Sequence, residues 1–205
     1  MIKHCFVMTV LLLLFSDVSN ADILDDLRSR QAGIRTVSAE FSQEKKTRLL
    51  TKPIRTEGRF LYRQPDKIRW EYRGSLNMQV FFNGKDIWLY YPDLKEADKL
   101  SGLSQYGSMM QFDVSSMSRD YAISAKKERG MTLLMLSPKT KGFISRMEME
   151  ITDESSFPRV VKLFDLNNDP TTIIFRDVKI NAGISDSMFN FVPEAGVTVR
   201  ERSLK

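Results

Sequence analysis

The sequence predicts a mainly β fold with a smaller helical part. It reads as one large antiparallel sheet of about eleven strands, curled, with its concave side closed by an N-terminal helix and a mid-chain helical insertion. Three observations carry this. From Val37 onward, apolar and polar residues alternate with a period of two through most of the chain. Short turn signals join the runs, the strongest being Asn83-Gly84, which suits a hairpin turn needing positive φ at both central positions. No Pro-rich linker, repeat or low-complexity tract interrupts the 205 residues, of which 42% are hydrophobic and 28% charged, so one folded domain is expected.

The elements follow in order. Asp22 to Gly33 is an amphipathic helix: Asp22 caps it, Asp25 and Asp26 sit near its positive end, Arg28 and Arg30 near its negative end, and Gly33 stops it. Val37, Ala39 and Phe41 then start the sheet. Gly58 to Arg73 makes two strands around Gln64-Pro65-Asp66, with Phe60 and Tyr62 in phase on one, and Ile68, Trp70 and Tyr72 on the other. Asn77 to Tyr91 is the Asn-Gly hairpin. Pro92 to Met117 breaks the alternation: Leu100, Leu103, Tyr106, Met109 and Met110 make a loose helical stripe interrupted by Gly102 and Gly107. Strand patterns return at 121–125, 131–136, 143–151, 158–164, 171–179 and 197–201.

Residues 1–21 read as a secretory signal peptide: Lys3 is followed by the apolar run Cys5 to Phe15, and Ser19 and Ala21 are small residues placed for a peptidase. The run is short of the roughly 20 apolar residues that span a bilayer. Cleavage after Ala21 leaves 184 of the 205 residues and removes both His4 and Cys5, the one histidine and the one cysteine. The remaining chain then has no imidazole or thiol. Ser-His-Asp and Cys-His catalysis, a typical zinc site, c-type haem and disulfides are excluded. The formal charge stays at +5.

Four constellations stand out. The Asn77 to Tyr91 hairpin is apolar on both faces, so either other elements cover its outer side or the interior is wide enough to hold a ligand. Met109, Met110 and Met117 suit either a core or a surface that accepts variable apolar partners. Between Lys45 and Arg73 there are ten basic residues against three acidic ones, which reads as a solvated sheet face or as a dock for anionic headgroups or an acidic partner. Asp165, Asn167, Asn168 and Asp169 resemble part of a calcium loop, but Pro170 and Arg176 stand where its Gly and Glu belong, so a turn is the reading. Neither a P-loop, a G-x-S-x-G elbow nor a dinucleotide fingerprint occurs.

Taken together, several stretches resemble the LolA family of periplasmic outer-membrane lipoprotein carriers. DDLRSRQAGIRTVSAEFSQ (25–43) looks like the family's opening helix and first strand. GRFLYRQPDKIRWEY matches its Gly, aromatic, Pro and Trp pattern, FFNGKDIWLYYP its Asn-Gly hairpin, and FNFVPEAGVTV (189–199) its Phe-x-Phe-x-Pro-x-x-Gly-Val end. The resemblance implies an incomplete, half-open antiparallel barrel whose helices lid an apolar cavity for acyl chains. It implies loading by an inner-membrane ABC transporter, delivery to an outer-membrane acceptor, and no catalysis.

On that reading Phe60, Tyr62, Ile68, Trp70 and Tyr72 line the cavity, with Val80, Phe82, Ile87 and Leu89 taken from the hairpin because they keep phase with one another. Leu100, Leu103, Tyr106, Met109, Met110 and Phe112 are assigned to the lid. Where the family commonly has an Arg before the Pro of the second-strand turn, this chain has Gln64, with Arg63 one residue earlier; both are considered for lid contact and cargo handoff. Expected partners are acylated lipoproteins, the transporter, the acceptor and transient membrane-surface contact. No cofactor, metal or nucleic acid is expected, and the protein is expected to be a periplasmic monomer. Two alternatives stay open: a carrier of another acylated lipid or glycolipid, and a lipid- or lipoprotein-sensing regulatory domain on the same fold.

Overall fold

The computed structural model describes residues 19–75, 77–101 and 111–203. Helix α1 (Asn20–Gln31) leads into β1 (Thr36–Lys45), β2 (Ile54–Arg63), β3 (Lys67–Arg73), β4 (Met78–Asn83), β5 (Asp86–Tyr91) and β6 (Glu96–Ser101). A second helix, α2 (Val114–Asp120), precedes β7 (Tyr121–Glu128), β8 (Met131–Pro138), β9 (Ile144–Thr152), β10 (Pro158–Asp165), β11 (Pro170–Ile180) and β12 (Thr198–Ser203). The twelve strands form one open sheet in the order β12-β6-β5-β4-β3-β2-β1-β11-β10-β9-β8-β7. The helices lie on its concave side, where Leu24 and Leu27 of α1 and Val114 and Met117 of α2 join the inward residues of the strands in one core.

The structure departs from the sequence reading at three places. The twelfth strand is β6, inside the segment read as helical; Leu100, assigned to the lid, is a sheet residue opposite Ile87 and packs against the core. Its stretch Glu96-Ala97-Asp98-Lys99-Leu100 alternates, but Pro92 and the two downstream glycines mask the period. The sheet is also not wholly antiparallel, because β12 runs parallel to β6, with Thr198 opposite Glu96. After β11 the chain crosses the convex face before pairing, so it arrives at β6 running the same way. Finally, α1 starts earlier than expected. Ser19 is its cap, its Oγ accepting from the Asp22 amide at 3.2 Å, while Asp22 accepts in return from the Ser19 amide at 3.3 Å. Leu103, Tyr106, Met109 and Met110 lie outside the described residues. Among the described residues no helix is long and apolar enough to cross a membrane.

Candidate functional site

Pairing register places the predicted cavity residues. Phe60, Trp70, Val80 and Leu89 stand opposite one another across β2, β3, β4 and β5, and Tyr62, Ile68, Phe82, Ile87 and Leu100 form a parallel row across β2 to β6. Alternation sends every one of these side chains to the same face, and all of them, with Tyr72, belong to or pack against the apolar core. The hairpin parity selected for staying in phase is thus the concave one.

One glycine makes this packing possible. Gly58 lies opposite Phe41 on β1 and Tyr72 on β3. A Cβ there would collide with the Glu71 carbonyl and come within 2.9 Å of the Phe41 ring. The ring instead drops over the bare backbone and meets Trp70 and Tyr72 edge-on, at centroid distances of 4.8 and 5.3 Å.

Phe112 closes the concave side. Its ring is buried, 5.8 Å from Phe60, 6.3 Å from Trp70, 6.2 Å from Phe157 and 5.6 Å from Phe175. Its backbone has φ +57°, a region that bulky L residues rarely adopt. The surroundings therefore hold it there. Buried Gln31, on the last turn of α1, donates from Nε2 to the Phe112 carbonyl at 3.4 Å and to the Ser156 carbonyl at 3.1 Å, and its Oε1 accepts from the Val114 amide at 2.9 Å. One amide thus ties α1, the Phe112 segment and the β9–β10 turn together. Asp113 caps α2 by accepting from the Ser115 amide at 2.9 Å and the Ser116 amide at 3.2 Å. Gln31 lies in the predicted helix without being among the candidate site residues; a polar residue at the end of an apolar stripe is the signal that could have found it.

Beside Phe112 lies a cavity of about 340 Å³, lined among others by Tyr62, Gln64, Gln31, Ile34 and Phe157. That is near the lower end of ligand-pocket sizes. Gln64, exposed in the turn after β2, stands at the edge of this cavity, whereas Arg63 points to the convex side, where Nη1 donates to the Ile184 carbonyl at 2.7 Å and Nε lies 3.4 Å from Asp186. The strand ends between the two, and Arg63 is not among the residues lining the cavity. Burial, aided by the carboxylates of Asp113 and Asp66, raises the Tyr62 phenol well above its ordinary range, and burial pushes Tyr72 up to about 12. Both stay neutral near pH 7, and the charges bordering the cavity come from Arg28 and Asp113.

The double-sided apolar hairpin has a separate explanation. On the convex face Phe191 packs against Phe81, Trp88 and Tyr90 at 5.3, 5.2 and 4.9 Å. The segment leading to it is tied down by Arg63, by Lys67 Nζ on Asp186 at 2.7 Å, and by Arg69 donating to the Met188 carbonyl at 2.9 Å. Three cations of the basic cluster are therefore occupied by the chain's own C-terminal segment. At Asp165 to Asp169 the structure shows a turn: Asp165 accepts from the Asn167 and Asp169 amides at 2.8 and 2.9 Å.

Comparison with known proteins agrees with this geometry. The family described as "Outer membrane lipoprotein carrier protein LolA" matches residues 32–192. An outer-membrane lipoprotein carrier protein of Pseudomonas paraeruginosa is 28% identical over 169 residues, 80% of this chain and 81% of the relative. One from Dechloromonas aromatica is 26% identical over 199 residues, 95% of this chain and 92% of the relative. Among solved structures, an uncharacterized conserved protein from Thermus thermophilus shares the fold, with a TM-score of 0.57 at 13% identity over 90% of this chain and 100% of that one. The family match spans the sheet from β1 through the C-terminal segment on its convex face, and the chain belongs to the LolA family of outer membrane lipoprotein carriers.

Proposed function

We propose that this protein carries acylated lipoproteins across the periplasm, holding their acyl chains against the concave rows of β2 to β5. The observation that carries this reading is the pair of cross-strand apolar rows, closed by one strained aromatic plug beside a cavity. An acyl chain in water costs about 0.8 kcal/mol per methylene, or on the order of 10 kcal/mol for a long chain. A covered apolar face removes most of that cost. Handing the chain on requires that the grip be weaker than the destination's. A plug held in an unfavourable backbone conformation offsets part of the closing energy and suits a face that must open and shut.

On this reading, residues 1–21 direct export and are removed, an inner-membrane ABC transporter loads the carrier, and an outer-membrane acceptor unloads it. Phe112 withdraws as cargo enters, joining the 340 Å³ cavity to the aromatic rows. Gln64, at the cavity wall, is the polar contact for the moving segment, without the charge of an Arg. The role is binding, as in the carriers of its family. The test is native mass spectrometry of protein purified from its own periplasm. Co-purified triacylated lipoprotein is expected; glycolipid alone, or no acyl cargo after cross-linking in cells, overturns the reading.

A further inference from the structure

Of the ten large hydrophobic side chains exposed among the described residues, six gather at one end of the sheet; Met135, Ile174 and Val199 lie within strands and Val192 in the C-terminal segment. Leu49 in the β1–β2 loop is 90% exposed, Leu94 in the β5–β6 connection 66%, Phe143 in the β8–β9 loop 72% and Leu166 in the β10–β11 turn 70%; Leu50, and Ile54 at the start of β2, join them. The pairing register fixes where these lie. Lys45 stands opposite Ile54 and Thr171, Ile144 opposite Asp165, and Tyr91 opposite Glu96. All six residues therefore sit on one rim of the half-barrel. None of the ten lies in the turns 64–66, 84–85, 129–130 or 153–157 of the opposite rim, where Gln64 and its cavity are.

Charge divides the same way. The loops of the apolar rim carry six exposed cations, Lys46, Arg48, Lys52, Lys95, Lys139 and Lys141, against three carboxylates, Asp93, Asp169 and, in the connection into β12, Glu194. The described connections of the opposite rim carry Arg35, Lys85 and Arg129 against Asp66, Asp153 and Glu154. Arg48 binds Asp169 and the Asn167 carbonyl, which ties the β1–β2 loop to the β10–β11 turn and holds Leu49 and Leu166 on neighbouring connections.

We infer that this rim docks the protein on the surface of an anionic lipid bilayer, with the leucines and Phe143 entering the interface and the cations meeting lipid phosphates. Separate apolar tips standing among cations suit a bilayer, whose surface has no fixed shape, better than a protein groove, which would need a continuous complementary patch. Docking this way turns the rim holding Gln64 away from the membrane. The inference rests on the exposed rim alone and not on the carrier reading, since it is tested on protein free of cargo.

The experiment is flotation with vesicles of phosphatidylglycerol and phosphatidylethanolamine, and with phosphatidylcholine vesicles, at low and high salt. Binding to the anionic vesicles is expected, weakening as salt rises. Leu49→Ser with Leu50→Ser, and separately Lys46→Glu with Lys52→Glu, should each reduce it about tenfold. Lys85→Glu with Arg129→Glu, on the far rim, should leave it unchanged. All these positions are on loops and turns, so thermal melts should match the parent. Absence of anionic-vesicle binding, or equal loss in the far-rim variant, overturns the inference. So does capture by an immobilised polyglutamate peptide without capture by vesicles, which would point to an acidic protein partner.

Discussion

The Gln31 side chain donates to the Phe112 carbonyl at 3.4 Å, so the last turn of α1 holds the backbone of the residue that plugs the concave face. The same amide serves the Val114 amide and the Ser156 carbonyl. Gln31→Leu leaves these buried backbone groups without partners, each costing about 1–3 kcal/mol. The variant should lose about 3 kcal/mol in urea unfolding with an unchanged m-value. It should also bind a fluorescent fatty acid more tightly than the parent, because the plug is no longer tethered.

Phe112 itself separates packing from backbone strain. Phe112→Ala should cost about 3 kcal/mol, at the low end for a buried aromatic, because part of its packing offsets its own φ of +57°. Glycine ordinarily costs about 1 kcal/mol relative to alanine through chain entropy, but here it alone adopts the angle freely. Phe112→Gly should therefore be at least as stable as Phe112→Ala in paired urea melts. A Phe112→Gly variant clearly less stable than Phe112→Ala would remove strain from the account. Both variants should take up acyl probes faster than the parent in stopped-flow fluorescence.

Gly58→Ala adds one methyl group where the Glu71 carbonyl and the Phe41 ring already stand. Overpacking of this kind costs about 1–3 kcal/mol, and the value here should fall near the top because one obstacle is backbone. Near-UV circular dichroism should change as well, since Phe41 rests edge-on against Trp70. A silent substitution would show that β2 and β3 move apart freely.

The convex segment should respond to acid. Lys67, hydrogen-bonded to Asp186, and Arg63 nearby hold that carboxyl below its ordinary range. The stabilisation this gives is complete above the unfolded-state value of about 3.9 and is lost as pH falls through the lower folded value. As pH falls from about 4 through the lower folded value, hydrogen-exchange protection of residues 184–192, taken relative to the intrinsic rate at each pH, should therefore be lost before that of the core strands. In Asp186→Asn the acid-dependent part should vanish.

Much of the concave face was legible because a β period carries its own geometry. Phe60, Tyr62, Ile68, Trp70 and Tyr72 share a parity on their strands, and keeping Val80, Phe82, Ile87 and Leu89 in phase selects the side that the register then aligns. What sequence does not yield depends on distant contacts. Nothing near Phe81, Trp88 and Tyr90 announces that Phe191, a hundred residues later, covers them. The β6 alternation is short and flanked by breakers, which hide it behind a helical pattern. Arg63 and Gln64 are neighbours in sequence, but Arg63 ends β2 and Gln64 opens the turn after it, and only the C-terminal segment on the convex face gives Arg63 its role.

The parallel seam between β12 and β6 also bears on how the chain assembles. Residues 96–101 are made long before residues 198–203, which pair with them. Until the end of the chain arrives, β6 is an unpaired border whose backbone groups can recruit any extended peptide. Such distant pairing comes late and slowly. A chain interrupted before residue 198 would keep the concave rows and the plug but leave β6 as the border; with β12 in place the border is a strand carrying Arg200, Glu201 and Arg202, whose charges oppose edge-to-edge association.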